Sequence, residues 1–422
     1  MKTTEKFIHL VWQNGWFDSS QLVTLEGEPV VVLDRGRPNT APGPDFLHAR
    51  LSIGGLTLAG NVEIHVNGKE WYDHGHHTDP AYGSVILHVV ESQPVDTECQ
   101  GRMIPCAVIG PLISPAVVTS YGLLIQRDGL LPCGGLLSER KWPPDRIVIQ
   151  WHSSAAARLQ ARAQRLAELA RHTGLTDNEV AWAALLRALG FGVNSEPFQM
   201  LAARMPWSLL ARHRDKPFTL AALIYGMAGL LDFLKNTSLA ESLKNEFSFY
   251  RNDISSPPLE PVVWRFGGTR PGNFPTHRIH LFLRWIHRNI DSVGDYLIKA
   301  QSLEELKKFF MPTPLPEPLE SHLPGHRLST ESLHLLVINS VAPFLAYLGE
   351  KYQQPSFFDK AVHWLERLPP EHNRYVKQWH QLGYAPSNAF ESQGILELNS
   401  TLCGRKGCME CSIGQALLKS AL

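Results

Sequence analysis

The sequence predicts an α+β protein: an N-terminal mixed α/β domain over residues 1–135, then a larger all-α domain over 145–422 that ends in a cysteine knuckle. Three observations carry this. Between residues 20 and 110, short apolar runs alternate with Gly, Pro and Asn, the pattern of strands and turns. Beyond residue 145, long stretches rich in Ala, Leu and Arg repeat with helical spacing. Finally, Cys403, Cys408 and Cys411 lie close together near the C-terminus.

In chain order, residues 4–14 read as a helix that covers one face of a sheet. Strands follow at 29–33, 49–53, 60–66 and 84–90. Gly54-Gly55 between the second and third is a tight hairpin turn, because two glycines accept the positive φ such turns require. The nearly unbroken apolar run 85–90 fits a strand covered on both faces. Helices are expected at 149–172, 177–189 and 220–234, punctuated by Pro-rich connectors at 255–261 and 311–318.

Composition narrows the function classes. The chain has 422 residues, 40 Lys plus Arg against 40 Asp plus Glu, and 44% apolar residues, which excludes a disordered or collagenous chain. A net charge of zero argues against a generally basic nucleic-acid coat, so phosphate binding would come from a local patch. No uncharged apolar run approaches the roughly 18 residues needed to cross a bilayer. No secretory segment is visible near the start, and a cytoplasmic protein without membrane contact is expected.

Asp45 follows Pro44 just before one strand, and Glu63-Ile64-His65 lies in the next. Period-two alternation puts Glu63 and His65 on one face, with Val62, Ile64 and Val66 on the other. Antiparallel pairing through Gly54-Gly55 would bring Asp45 to Glu63. Two adjacent carboxylates repel, and an oxygen-preferring divalent cation, Mg²⁺ or Mn²⁺, relieves that repulsion while activating a water. His76, in the loop His74-Gly75-His76-His77, and His88, inside an apolar strand, extend the set. A histidine–carboxylate centre of Glu63, His65, His76 and His88 would suit Zn, Mn or Fe. The alternative is a satisfied core His88 with exposed loop histidines.

Cys403, Cys408 and Cys411 have the spacing Cys-x4-Cys-x2-Cys, which suits Zn²⁺ or a [4Fe–4S] cluster. Both want a fourth ligand. Cys133 is the first choice, with Cys99, Cys106 or a histidine as alternatives, and a closed thiolate site reads as structural. After the turn that begins at Arg270, a helix over 276–288 places His277, His280, Arg284 and Arg288 on one basic face. That face would hold a DNA or RNA backbone or be solvated; Arg158, Arg162 and Arg165 form a second basic stripe. Neither a Gly-x-Ser-x-Gly elbow nor a Gly-x4-Gly-Lys-Ser/Thr loop occurs in the chain.

The Pro44-Asp45 and Glu63-Ile64-His65 pair resembles the PD-(D/E)XK nuclease pattern, with His65 where that pattern usually has Lys. The resemblance implies a restriction-endonuclease-like N-terminal domain in which Asp45 and Glu63 hold the cation and His65 positions or activates water. Over nearly its whole length the chain also resembles the bacterial family called domain of unknown function 2851. That likeness rests on Gly43-Pro44-Asp45-Phe46, Val62-Glu63-Ile64-His65-Val66, His74-Gly75-His76, residues 85–90 with His88, Arg270-Pro271-Gly272-Asn273-Phe274-Pro275, residues 338–344 and the three C-terminal cysteines with Ile413-Gly414. The family name carries kinship without an activity. The expected function is a metal-dependent, nuclease-like protein acting on or binding nucleic acid. The alternatives are a non-catalytic nucleic-acid- or protein-binding module with structural Zn²⁺, and a His/carboxylate metallohydrolase of a small molecule.

Overall fold

The computed structural model describes residues 3–126, 129–139, 142–311, 313–323 and 328–421. The chain is α+β and forms two compact units: Met1–Gln150 with Asn373–Ala385 and Leu396–Leu422, and Trp151–His372 with Pro386–Ile395. The cysteine-bearing C-terminal segment thus groups with the sheet. Docking inside that first unit explains it, since Glu410 pairs with Lys6 at 2.8 Å and Ser412 Oγ donates to the Gln150 side chain at 2.6 Å.

The first helix, α1 (Glu5–Asn14), buries Phe7, Ile8, Leu10, Val11 and Trp12 and stops at Gly15. Gly15 takes the left-handed conformation (φ 66°) and its N–H closes on the last turn. The strands are β1 (Val30–Asp34), β2 (Arg37–Pro38), β3 (Phe46–Ile53), β4 (Leu56–Asn67), β5 (Val85–Ser92), β6 (Thr97–Cys99), β7 (Arg102–Ile104) and β8 (Cys106–Val108). The main sheet runs β1-β3-β4-β5-β8, with β2 on β3, while β6 and β7 pair separately. The β3–β4 hairpin turns at Gly54-Gly55, whose φ values of 57° and 88° only glycine adopts without strain. Within the main sheet the pairing from β4 onward is parallel. A parallel pair needs a crossover, and residues 68–84 supply it, with the short helix α2 (Glu70–Asp73) and the His74–His77 loop. Residues 85–90 are all buried, as a strand covered on both faces requires.

The unit continues through α3 (Pro115–Gln126), α4 (Gly134–Glu139) and the start of α5 (Pro144–Thr173). In the second unit, α6 (Asp177–Leu189) begins with a reciprocal capping box between Thr176 and Glu179. Next comes α7 (Ser195–Arg204). Their apolar faces join one core with Trp182, Phe198, Phe282, Trp285 and Phe344. The expected helix at 220–234 is shorter, Pro217–Met227, followed by a 3₁₀ turn at Leu231–Phe233.

Two expectations are corrected here. The helical stretch Thr330–Tyr352 is long and apolar enough to cross a membrane, and 78% of its most apolar window is buried within the protein. That burial makes it a core helix; within it Ser340 Oγ turns back onto the Leu336 carbonyl and Val337–Val341 opens into a π turn. Pro343 explains that turn: it lacks an N–H and its ring crowds the carbonyl four residues back. The second correction concerns the helix Pro275–Asn289, whose polar side is not a solvent-facing basic stripe. His280 is 1% exposed, burial with Arg284 and His277 holds it down at about 3, and Arg284 is engaged by Glu320. Packing encloses Arg278 and His280 along with the apolar face. Arg270 and Arg288 are exposed, Arg288 donating to Thr313 at 3.2 Å, and His277 lies beside Phe274.

Candidate metal centre

Four elements of the first unit converge on one cluster. Glu5 and His9, four residues apart, share a face of α1; Asp45 immediately precedes β3; Glu63 and His65 alternate along β4; the crossover contributes His74 and His76. Register does most of the positioning, because Phe46 pairs with Val62, which sets Asp45 beside Glu63. The pairing is irregular between Phe46 and Ala49, where His48 takes φ 62° and its N–H bonds the Asn61 side chain. Such bulges re-aim neighbouring side chains.

The two carboxylates clamp each other through the backbone. Asp45 N–H donates to Glu63 Oε2 at 3.0 Å, and Ile64 N–H donates to Asp45 Oδ2 at 2.9 Å. Glu63 Oε1 is left facing two imidazoles, His76 Nε2 at 3.3 Å and His65 Nε2 at 3.6 Å. His9 Nε2 lies 3.2 Å from Asp45 Oδ2 and 3.8 Å from Glu5 Oε1. Among the described residues, the ligand atoms of His65, His74 and His76 lie within 4.8 Å of one another, as do those of Glu5, His9 and Asp45.

A buried relay fixes the tautomers. Thr97 Oγ1 donates to the Val95 carbonyl at 3.1 Å, so its lone pair accepts from His88 Nδ1 at 2.9 Å. His88 Nε2 then accepts the His65 Nδ1 proton at 2.9 Å. This leaves His65 Nε2 unprotonated, its lone pair aimed at a carboxylate oxygen. A lone pair and a carboxylate repel unless a proton or a cation lies between them. An ion bound at about 2.1 Å has ligand–ligand edges of about 3.0–3.4 Å, close to the separations around Glu63 Oε1. The donor set therefore fits a divalent cation.

The electrostatics agree. Burial, reinforced by the Asp45 charge, lifts Glu63 to about 9 despite the Asp45 N–H. Burial and the neighbouring His76 push His65 down to about 3, and burial with His65 and His76 pushes His88 down to about 3. His76 is lowered too, chiefly by burial. Metal-ligating histidines must be neutral, and burial favours the neutral form of His65 and His76. His9 differs: burial alone would lower it, but the bond to Asp45 and the Asp45 and Glu5 charges raise it. Packing holds the rings, with Tyr82 stacked on His76 at 3.8 Å and Trp71 beneath His76 and His88.

Of the residues singled out in the sequence, the structure brings together Asp45, Glu63, His65 and His76. His88 is corrected from ligand to support, since both ring nitrogens are already engaged. Glu5, His9 and His74 complete the cluster. Their signal in the sequence was the Glu5-x3-His9 spacing and the His-Gly-His loop, but α1 reads as a cover for the sheet until the fold turns its polar face inward.

The cysteines form a second cluster. Cys133, Cys403, Cys408 and Cys411 line one small cavity of about 10 Å³ with Trp379, Leu398 and Leu402. Burial pushes Cys403 up to about 12 and Cys408 up to about 11, in each case with neighbouring thiols adding to it; Cys133 rises for the same reasons. The backbone N–H groups of Gly414 and Ile413 donate to Cys411 and partly offset its burial. Gly414 is needed there: a Cβ would sit 2.1 Å from the Cys408 carbonyl oxygen. Cys99 and Cys106 lie elsewhere in the unit, on β6 and β8.

No curated protein and no solved structure matches the chain. The family model described as protein of unknown function (DUF2851) matches residues 5–374, and the chain belongs to that family.

Proposed function

We propose that the first unit is a metal-dependent, nuclease-like phosphodiesterase. The observation that carries this reading is Glu63 Oε1 set between His65 Nε2, whose lone pair points at it, and His76 Nε2, with His74 in reach and a second carboxylate, Asp45, clamped alongside. An imidazole-rich set of this kind selects Mn²⁺, Zn²⁺ or Fe²⁺, whereas Mg²⁺ prefers all-oxygen shells. The ion would supply a water acidified toward neutral pH and a Lewis acid for a phosphoryl oxygen. Glu63, His65, His74 and His76 hold it, and the Thr97–His88 relay orients His65. His9, whose pKa Asp45 and Glu5 raise against the effect of burial, would give a proton to a leaving oxygen.

Purified protein loaded with Mn²⁺ or Zn²⁺ is expected to cleave DNA or RNA, single- or double-stranded, and Glu63→Gln is expected to lower the rate at least a thousandfold. Absence of cleavage of all four nucleic acids by metal-loaded protein overturns this reading. If such protein cleaves bis-(p-nitrophenyl) phosphate alone, the substrate is a small phosphodiester. Metal bound at the cysteines and absent from Glu63 would make the unit a non-catalytic binding module stabilised by zinc.

A further inference from the structure

The second unit holds a cationic cavity that the proposed chemistry does not use. Arg158, Arg162 and Arg165 recur at i, i+4 and i+7 along α5, so they share one face. With Arg187 of α6 they line a cavity of about 570 Å³. Three of the four donate to neutral groups. Arg158 Nε donates to Gln393 Oε1 at 2.8 Å, an Arg162 NH donates to the Ile338 carbonyl at 3.1 Å, and Arg187 bonds the Gln199 amide. The Ile338 carbonyl sits in the π turn that Pro343 imposes, and such turns are frequent at functional sites. Arg165, at the rim, is exposed.

The cost of this arrangement is visible at Arg162, which burial and the charges of Arg158, Arg165 and Arg187 bring down to about 9, with Glu371 offsetting part of it. Glu371 is itself engaged by the Gln393 amide. Four guanidinium groups around one cavity repel one another, and a bound polyanion removes that repulsion. Two further features fit an anion. Ser195, the first residue of the ten-residue helix α7, also lines the cavity, which places the positive end of that helix beside it. Apolar side chains complete the lining, Leu166, Leu169, Leu335 and Phe191 among them, and Arg278 packs over Phe191 at 4.5 Å.

We propose that this cavity binds a small molecule carrying two or more phosphate groups, its phosphates on Arg158, Arg162, Arg165 and Arg187 and its uncharged part on the apolar lining residues. The volume lies in the range of small-molecule sites, about 300–1,000 Å³, and suits a nucleotide. A polymer would need a groove that follows its backbone.

The test is calorimetric titration of the full chain, without divalent cations, with inorganic pyrophosphate, ATP and a 5′-phosphorylated oligonucleotide. One equivalent of pyrophosphate or ATP is expected to bind, more weakly as salt is raised. Arg165→Gln, at an exposed position where folding is not at stake, should weaken it at least tenfold, and Arg187→Gln likewise. No saturable binding of pyrophosphate or ATP would overturn the proposal. So would unchanged affinity in both variants, or binding of the oligonucleotide alone, which would assign the cavity to strand ends. Because cations are absent and Glu63 lies in the other unit, these outcomes are independent of the metal centre's fate.

Discussion

Cys408→Ala should remove one metal or cluster equivalent per chain and lower the melting temperature of the first unit by about 10 °C. Magnitudes decide between two accounts of the four thiols. Were they ordinary buried side chains, each would act as a small apolar group, and trimming one sulfur would cost on the order of 1 kcal/mol. A metal-held set is different, because structural zinc contributes about 10–16 kcal/mol to folding and loss of one ligand forfeits several of these. At about 2–4 °C per kcal/mol for a unit of this size, the two accounts separate clearly. Elemental analysis and differential scanning calorimetry of the purified variant read both quantities. A broad absorption near about 400 nm in the anaerobic parent protein would identify an iron–sulfur cluster, and zinc would leave that region transparent. Should Cys408→Ala melt within about 2 °C of the parent with unchanged metal content, the thiols are packing groups. Gly414→Ala probes the same site without touching a sulfur, since its Cβ would collide with the Cys408 carbonyl; it should lose metal as well.

Much of the fold was legible in the sequence because local rules governed it. The Gly54-Gly55 turn, the doubly covered strand at 85–90 and the helix over Asp177–Leu189 depend on neighbours in the chain, and they formed where expected. The Asp45–Glu63 juxtaposition followed from the same hairpin and its register. What escaped depended on packing between distant segments. Periodicity shows that His280 and Arg284 share a face; it does not show what encloses that face, and the structure buries His280. An apolar strand with a histidine does not reveal that His88 spends one nitrogen on Thr97 and the other on His65. Likewise, Glu5-x3-His9 is commonplace on helices, and becomes informative once α1 lies beside Asp45. The arginine stripe at 158, 162 and 165 was visible, but its enclosure by Arg187, Ser195 and the π turn was not.

The metal-free protein is expected to be most stable near pH 6.5, with losses on both sides that have different owners. On the acid side, His65 and His88 are held at about 3, against 6.5 in the unfolded chain. As pH falls below 6.5 the unfolded state takes up protons that the folded state refuses, so stability drops. On the alkaline side, Glu63 is raised from 4.5 to about 9 by burial and by Asp45. Its contribution is whole below pH 4.5 and is lost as pH rises toward 9, at up to about 1.4 kcal/mol per pH unit. Between 4.5 and 6.5 the two histidines outweigh the one carboxyl; above 6.5 Glu63 acts alone among these three, with His9, also raised, adding to the same limb. Thermal melts across pH 4–9 in chelator should show this peak. Glu63→Gln removes the largest alkaline term, so subtracting its profile from the parent's isolates a loss of several kcal/mol between pH 6.5 and 9. Mn²⁺ or Zn²⁺ should flatten that limb in the parent and leave Glu63→Gln unchanged, because a cation at Glu63 Oε1 takes the place of the proton. Parallel alkaline limbs in the two proteins, or a parent profile indifferent to metal, would show that no cation is held between Glu63 and its histidines.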